Sequence, residues 1–145
     1  MKKISLAITA TILTALAYTA SLHYVEAASR PAQVTVPGSS VVVIDGDTIR
    51  WKGQKIRLLG FDTPEIYPGH YKCEKERLAG LKARDALVGL LAPKNKPTIA
   101  FNASNDLYGR RVARLYSNGK DVSAIMISTG LGVAYRGGQR TGWCK

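Results

Sequence analysis

This sequence has little acid, little histidine and little cysteine. Of 145 residues only 10 are Asp or Glu, against 21 Lys or Arg, and there are two His and two Cys. With Cys73 and Cys144 as the only thiols, no second pair of soft ligands exists, which argues against a tetrahedral zinc site. Internal repeats and low-complexity tracts are also missing. That excludes solenoids and arrays and leaves about one small domain for this length. The deficit of acid gives a formal charge of +11, and a field of that sign attracts polyanions, nucleic acid foremost. The basic residues are dispersed, so a generic basic surface or attraction to an anionic envelope fits the charge equally well.

Met1-Lys2-Lys3 precedes an uncharged apolar run over residues 4–20, and Val25-Glu26-Ala27 has the small-x-small pattern of a cleavage site. Together these read as a secretory signal peptide over residues 1–27. The run is long for such a peptide, so an uncleaved membrane anchor stands as the alternative. Either way the domain is expected to be exported, secreted or periplasmic. Cleavage would remove Lys2, Lys3 and Glu26, two positive charges and one negative, and leave +10 of the original +11. Residues 28–40 read as a flexible lead and residues 41–145 as the domain proper. In an oxidising compartment the even cysteine count points to a Cys73–Cys144 disulfide. Closing a loop of about 70 residues would stabilise a small core by ~4 kcal/mol in the chain-entropy model. Two free thiols or an intermolecular pair are the alternatives.

The densest chemistry lies in residues 41–65, VVVIDGDTIRWKGQKIRLLGFDTPE. Residues 41–44, 48–51 and 56–61 read as strands, with a Lys52-Gly53-Gln54 turn between the second and third. Asp45, Asp47, Asp62 and Glu65 all fall where a strand begins or ends. Asp-Gly-Asp is also ordinary turn chemistry, and Asp62 could serve an Asx-turn. Arg57 lies inside the third strand, five positions before Asp62, so strict alternation would put the two on opposite faces. They share a site only if the alternation breaks, and Gly60 is the expected place for the break.

Residues 66–71 form a Pro-Gly loop in which His70 reads as a surface residue more readily than as a ligand or base. Residues 73–91 repeat apolar positions at helical spacing and stop before Pro93. Residues 98–101 and 111–117 read as the fourth and fifth strands. Asp121 is a candidate N-cap for a second helix closed by Gly130. The tail from Leu131 offers no third helix. Five short strands with two helices predict an α+β fold, mainly β: a five-stranded Greek-key OB-fold barrel packed by two helices. The long helix after the third strand argues against an SH3-like barrel.

Two carboxylates with a main-chain carbonyl make an all-oxygen site for a hard divalent cation, Ca2+ or Mg2+. Arg57 and Arg110 suit bidentate contact with phosphate and the extra charge of a five-coordinate phosphorus transition state. Glu65 is left to orient or deprotonate a water. These are the parts of a phosphodiester hydrolase.

VIDGDTI, IRLLGFDTPE, DLYGRRVARLY and GLGVAY, in that order, resemble the staphylococcal nuclease family over residues 41–135. The resemblance implies an OB-fold and a Ca2+-dependent nuclease that cleaves DNA and RNA and leaves 3′-phosphate ends. It makes Asp47, Asp62 and the Thr63 carbonyl metal ligands, and Glu65 the general base. Arg57 and Arg110 become the phosphate-binding pair. Leu107 stands where the staphylococcal enzyme has lysine, and Arg136-Gly137-Gly138 replaces a second tyrosine. Tyr108 and Tyr135 are then the expected substrate contacts. A nucleic-acid-binding OB module without catalysis is the second reading. Nothing in the sequence points beyond a monomer, or to stable membrane association once the signal is removed.

Overall fold

Two-residue turns between apolar runs set the sheet. In the computed structural model, residues 32–140 and 142–144 are described, so the expected signal peptide or anchor over residues 1–27 lies outside the described residues. The strands are β1 Gln33–Thr35, β2 Val41–Val43, β3 Thr48–Trp51, β4 Gln54–Leu58, β5 Gly60–Asp62, β6 Thr98–Phe101, β7 Arg111–Ser117, β8 Lys120–Asp121 and β9 Val133–Tyr135. Helix α1 spans Glu74–Leu90 and α2 spans Val122–Ser128. Lys52 and Gly53, at φ 50° and 77°, join β3 to β4 in a turn whose twist suits the flanking strands. Asn118 and Gly119, at φ 49° and 74°, do the same between β7 and β8.

The main sheet runs β1-β6-β7-β4-β3-β2, with β8 on β7, while β5 and β9 form a separate pair. β4 and β7 pair in parallel and the other neighbours are antiparallel. This mixed sheet curls into a half-barrel with two helices, the OB-like α+β fold expected. Ile49, Ile56, Leu58, Phe61, Ile99 and Leu115 fill it. α1 adds Ala83 and Leu87, and α2 adds Val122 and Met126. The α2 cap is the expected one: Asp121 Oδ1 accepts from Ser123 N–H at 2.8 Å.

The described residues hold nine strands where five were expected, because β1, β8 and β9 are added and one expected strand is split. The lead over residues 28–40 is not uniformly flexible. Its residues 33–35 form β1, which satisfies the outer edge of β6, and Val36 is buried in the core with its N–H donated to Pro97 O. The strand expected over residues 56–61 is two strands, β4 and β5, in different sheets. The break falls at Gly60, at φ 97°, where a side chain would be strained. The Cys73–Cys144 disulfide is formed, with 6.0 Å between Cα atoms. Cys73 is also the N-cap residue of α1, so the tail is tied to the start of that helix.

Candidate active site

The β3–β4 register places Thr48 opposite Arg57, and the bend at Gly60 swings Asp62 back towards the same spot. Arg57 is 5% exposed. Its guanidinium pairs with Asp47 Oδ1, donates to Asp62 Oδ1 at 2.8 Å and reaches the carbonyls of Asp47 at 3.3 Å and Phe61 at 3.2 Å. The broken alternation therefore does bring Arg57 and Asp62 together. Thr63 completes the ring: its N–H and its hydroxyl both donate to Asp47 Oδ2, at 2.9 and 3.1 Å. Thr48 Oγ1 donates to Asp47 Oδ1 at 3.0 Å. Asp45 takes the turn role, its Oδ1 accepting from Asp47 N–H at 3.1 Å.

Two glycines let the backbone close around this cluster. A Cβ on Gly46 would sit 2.7 Å from Thr63 Oγ1 and 2.8 Å from Ala83 Cβ. Gly46 looks like a turn residue in the sequence, yet what its position needs is space. A Cβ on Gly80 would sit 2.5 Å from Pro64 O and 3.1 Å from Glu65 O. Gly80 thus lets α1 press against the turn that carries Glu65.

The cluster is short of positive charge. Burial, then the charge of Asp47, pushes Asp62 up to about 6 despite Arg140 and Arg57 nearby. Burial and the same neighbour raise Asp45 to about 6. Asp62 is 1% exposed, and its Oδ2 has no hydrogen-bond partner among the described residues. A buried carboxylate oxygen without a donor costs free energy that a cation would recover. With Asp47 and the Thr63 main chain beside it, this is a hard all-oxygen donor set that fits a divalent cation of the calcium or magnesium type.

Glu65 stands at the rim, its side chain 23% exposed, and forms an ion pair with Arg140. Arg140 also lies 3.5 Å from Asp62 Oδ1. Arg110 is held elsewhere in its own loop: its Nε donates to Asp106 Oδ2 at 2.7 Å, its N–H donates to Asp106 Oδ1, and its guanidinium lies 5.4 Å from the Tyr108 ring centre. Tyr108 is 83% exposed. Tyr135, on β9 opposite Gly60, donates its hydroxyl to Gly138 O at 2.9 Å and so braces the tail. Exposed His70 lines a cavity of about 310 Å³ that also touches Asp62, Glu65, Arg140 and Trp143.

Arg140 and Trp143 were not legible as site residues, because they lie in an irregular tail with no periodicity. The one available signal was the cysteine pairing, which returns the tail to residue 73, eight positions after Glu65 in the chain.

Residues 55–142, more than half of the chain, match the family described as staphylococcal nuclease homologue. The succinoglycan biosynthesis protein ExoI of Rhizobium meliloti is 33% identical over 96 residues, 61% of this chain and 47% of that protein. The staphylococcal-like nuclease CAN1 of Arabidopsis thaliana is 27% identical over 113 residues, 78% of this chain and 32% of its own length. Protein ParB of Escherichia coli is 29% identical over 119 residues, 73% of this chain and 61% of that protein. The chain thus spans from a third to three fifths of these relatives. With the OB-like half-barrel, the buried Asp47–Arg57–Asp62 cluster and this match over its domain, the chain belongs to the staphylococcal nuclease homologue family.

Proposed function

We propose that the protein is an exported, Ca2+-dependent nuclease that cuts within DNA and RNA and leaves 3′-phosphate ends, with Mg2+ as the alternative ion. Family membership points to a nuclease or nucleic-acid-binding domain. The observation that carries the catalytic reading is the orphaned Asp62 oxygen, buried beside Asp47 with Glu65 at the rim. A module that only binds nucleic acid has no need to hold two carboxylates, one with an unmatched oxygen, under a buried arginine.

Asp47, Asp62 and the Thr63 carbonyl would hold the ion, which when bound supplies Lewis-acid charge to a phosphate oxygen. Glu65 accepts a proton from the attacking water. As water oxygen bonds to phosphorus, charge builds on the non-bridging oxygens; Arg57 meets it from the floor, and Arg110 would have to reach it from the separate loop where Asp106 holds it. The bond from phosphorus to the 5′-oxygen then breaks, that oxygen leaves as an alcohol after taking up a proton, and the 3′ side retains the phosphate.

The Arg140–Glu65 pair favours the second reading, a binding module, because Arg140 occupies a carboxylate oxygen that a base would need to reach water. Cleavage of single-stranded DNA and RNA in Ca2+, Mg2+ or chelator separates the two. Loss of activity in chelator, and a fall of several orders of magnitude in Glu65→Gln, is the expected result. Salt-dependent binding without cleavage in any ion would assign the binding module instead. For export, mass spectrometry should find a mature N-terminus at Ala28; an intact Met1 end would favour the anchor.

A further inference from the structure

The cavity beside the acidic cluster has two walls of different origin. The turn after β5 supplies Asp62 and Glu65, and the tail supplies Arg140 and Trp143. Cys144, the neighbour of Trp143, is bonded to Cys73 at the start of α1, so the disulfide holds the tail against the cavity. Lys72, from the loop before α1, adds a second cation to the lining. Arg140 keeps 43% of its side chain exposed even while paired with Glu65 and Asp62. Trp143 is half-buried and lines the cavity.

The lining sets an indole, a guanidinium and an ammonium beside the carboxylates of Asp62, Glu65 and Glu76; the first three suit the base and the phosphate of a ligand that is both aromatic and anionic. Taking the nuclease reading above, we propose that the cavity is a subsite for the nucleotide adjoining the scissile phosphate, with Trp143 stacking its base and Arg140 binding its phosphate. The volume of about 310 Å³ admits one base. Every base has a π-face, so the subsite is tolerant of sequence. A paired, stacked base cannot enter it, so single strands are favoured over duplex. A phosphate that takes the Arg140 guanidinium also frees Glu65. The departure from a second tyrosine after Tyr135 thus has a counterpart on the tail.

The chain has two tryptophans; Trp51 is buried in the barrel beside Phe101 and also emits, so a quench on ligand addition is assigned to Trp143 by its loss when Trp143 is replaced. Titrating the full oxidised chain with a short oligothymidylate in chelator should quench the tryptophan fluorescence, and Trp143→Phe should abolish the quench. Trp143→Ala and Arg140→Ala should each raise KM for single-stranded DNA roughly tenfold, the scale of one stacked base, with kcat nearly unchanged. An unchanged KM in Trp143→Ala, no quench in the wild type, or a rise in kcat for Arg140→Ala would overturn the subsite; the last would make the arginine a latch on Glu65. Should Trp143→Ala fail to fold, the quench and Arg140→Ala still decide. A quench in a wild type that cleaves nothing would remove the nuclease reading and leave the subsite standing.

Discussion

The candidate site has two halves that are built in opposite ways. Its floor, Asp47, Arg57, Asp62 and Thr63, is buried and fixed by strand register and a closed set of hydrogen bonds. Its outer wall, Arg140 and Trp143, lies on an irregular tail whose position depends on one disulfide. Both halves place charge near the same carboxylates. In the floor, desolvation makes each charge depend on its partners. In the wall, solvent screens the pair and little is lost if it parts. The floor should therefore respond to mutation in folding and chemistry together, and the wall mainly in substrate affinity.

Arg57→Ala tests that division hardest. It leaves Asp47 and Asp62 buried without their shared cation, which should cost about 3–5 kcal/mol in chelator, read as a lower urea midpoint. Saturating Ca2+ should recover part of the loss, and an unchanged midpoint would mean that the floor is not electrostatically tight. Replacing Cys73 and Cys144 together should cost ~4 kcal/mol in the chain-entropy model yet leave any cleavage detectable at raised KM. Cleavage abolished in folded protein would show that the wall, too, is indispensable to the chemistry.

Gly80→Ala should cost about 1–3 kcal/mol by overpacking, although alanine is the better helix former. The displaced Pro64-Glu65 turn should lower kcat as well as stability, and a neutral result would refute the close approach of α1. Arg140→Ala should change stability by less than about 1 kcal/mol, because its carboxylate pair is partly exposed. Thermal melts in chelator would measure it.

The last comparison concerns protons. Asp62 is raised from 3.8 to about 6 in the folded protein, so between those values the native state binds more protons than the unfolded chain. Its contribution then declines as pH rises from about 4 to 6 and remains lost above. In chelator, the stability of wild type relative to Asp62→Asn should fall over that window. A difference that rises with pH would reverse the sign assigned to its burial.

Much of the floor was legible because its signals are local. The Asp-Gly-Asp turn, the alternating apolar residues around Arg57 and the glycine before Phe61 sit within one short stretch, and each has a backbone meaning of its own. The need for a break near Gly60 followed from counting positions between Arg57 and Asp62. The β1 strand does carry a faint alternation, Ala32, Val34 and Val36 against Gln33 and Thr35, but it is only three residues long and exposed, and the open edge of β6 is what recruits it. Arg110 was legible as a charge, but its engagement by Asp106 depends on how the loop between β6 and β7 closes.

By itself, then, the sequence determined most of the strands, both helices and the identity of the floor residues, since periodicity, capping and turn chemistry act over a few neighbours. Only the tertiary structure decided that Gly46 and Gly80 are spacers, that an oxygen of Asp62 is left without a donor, and that Arg140 and Trp143 face Glu65. Those facts depend on close packing and on contacts across as many as 75 residues of chain, a distance at which no local preference carries information.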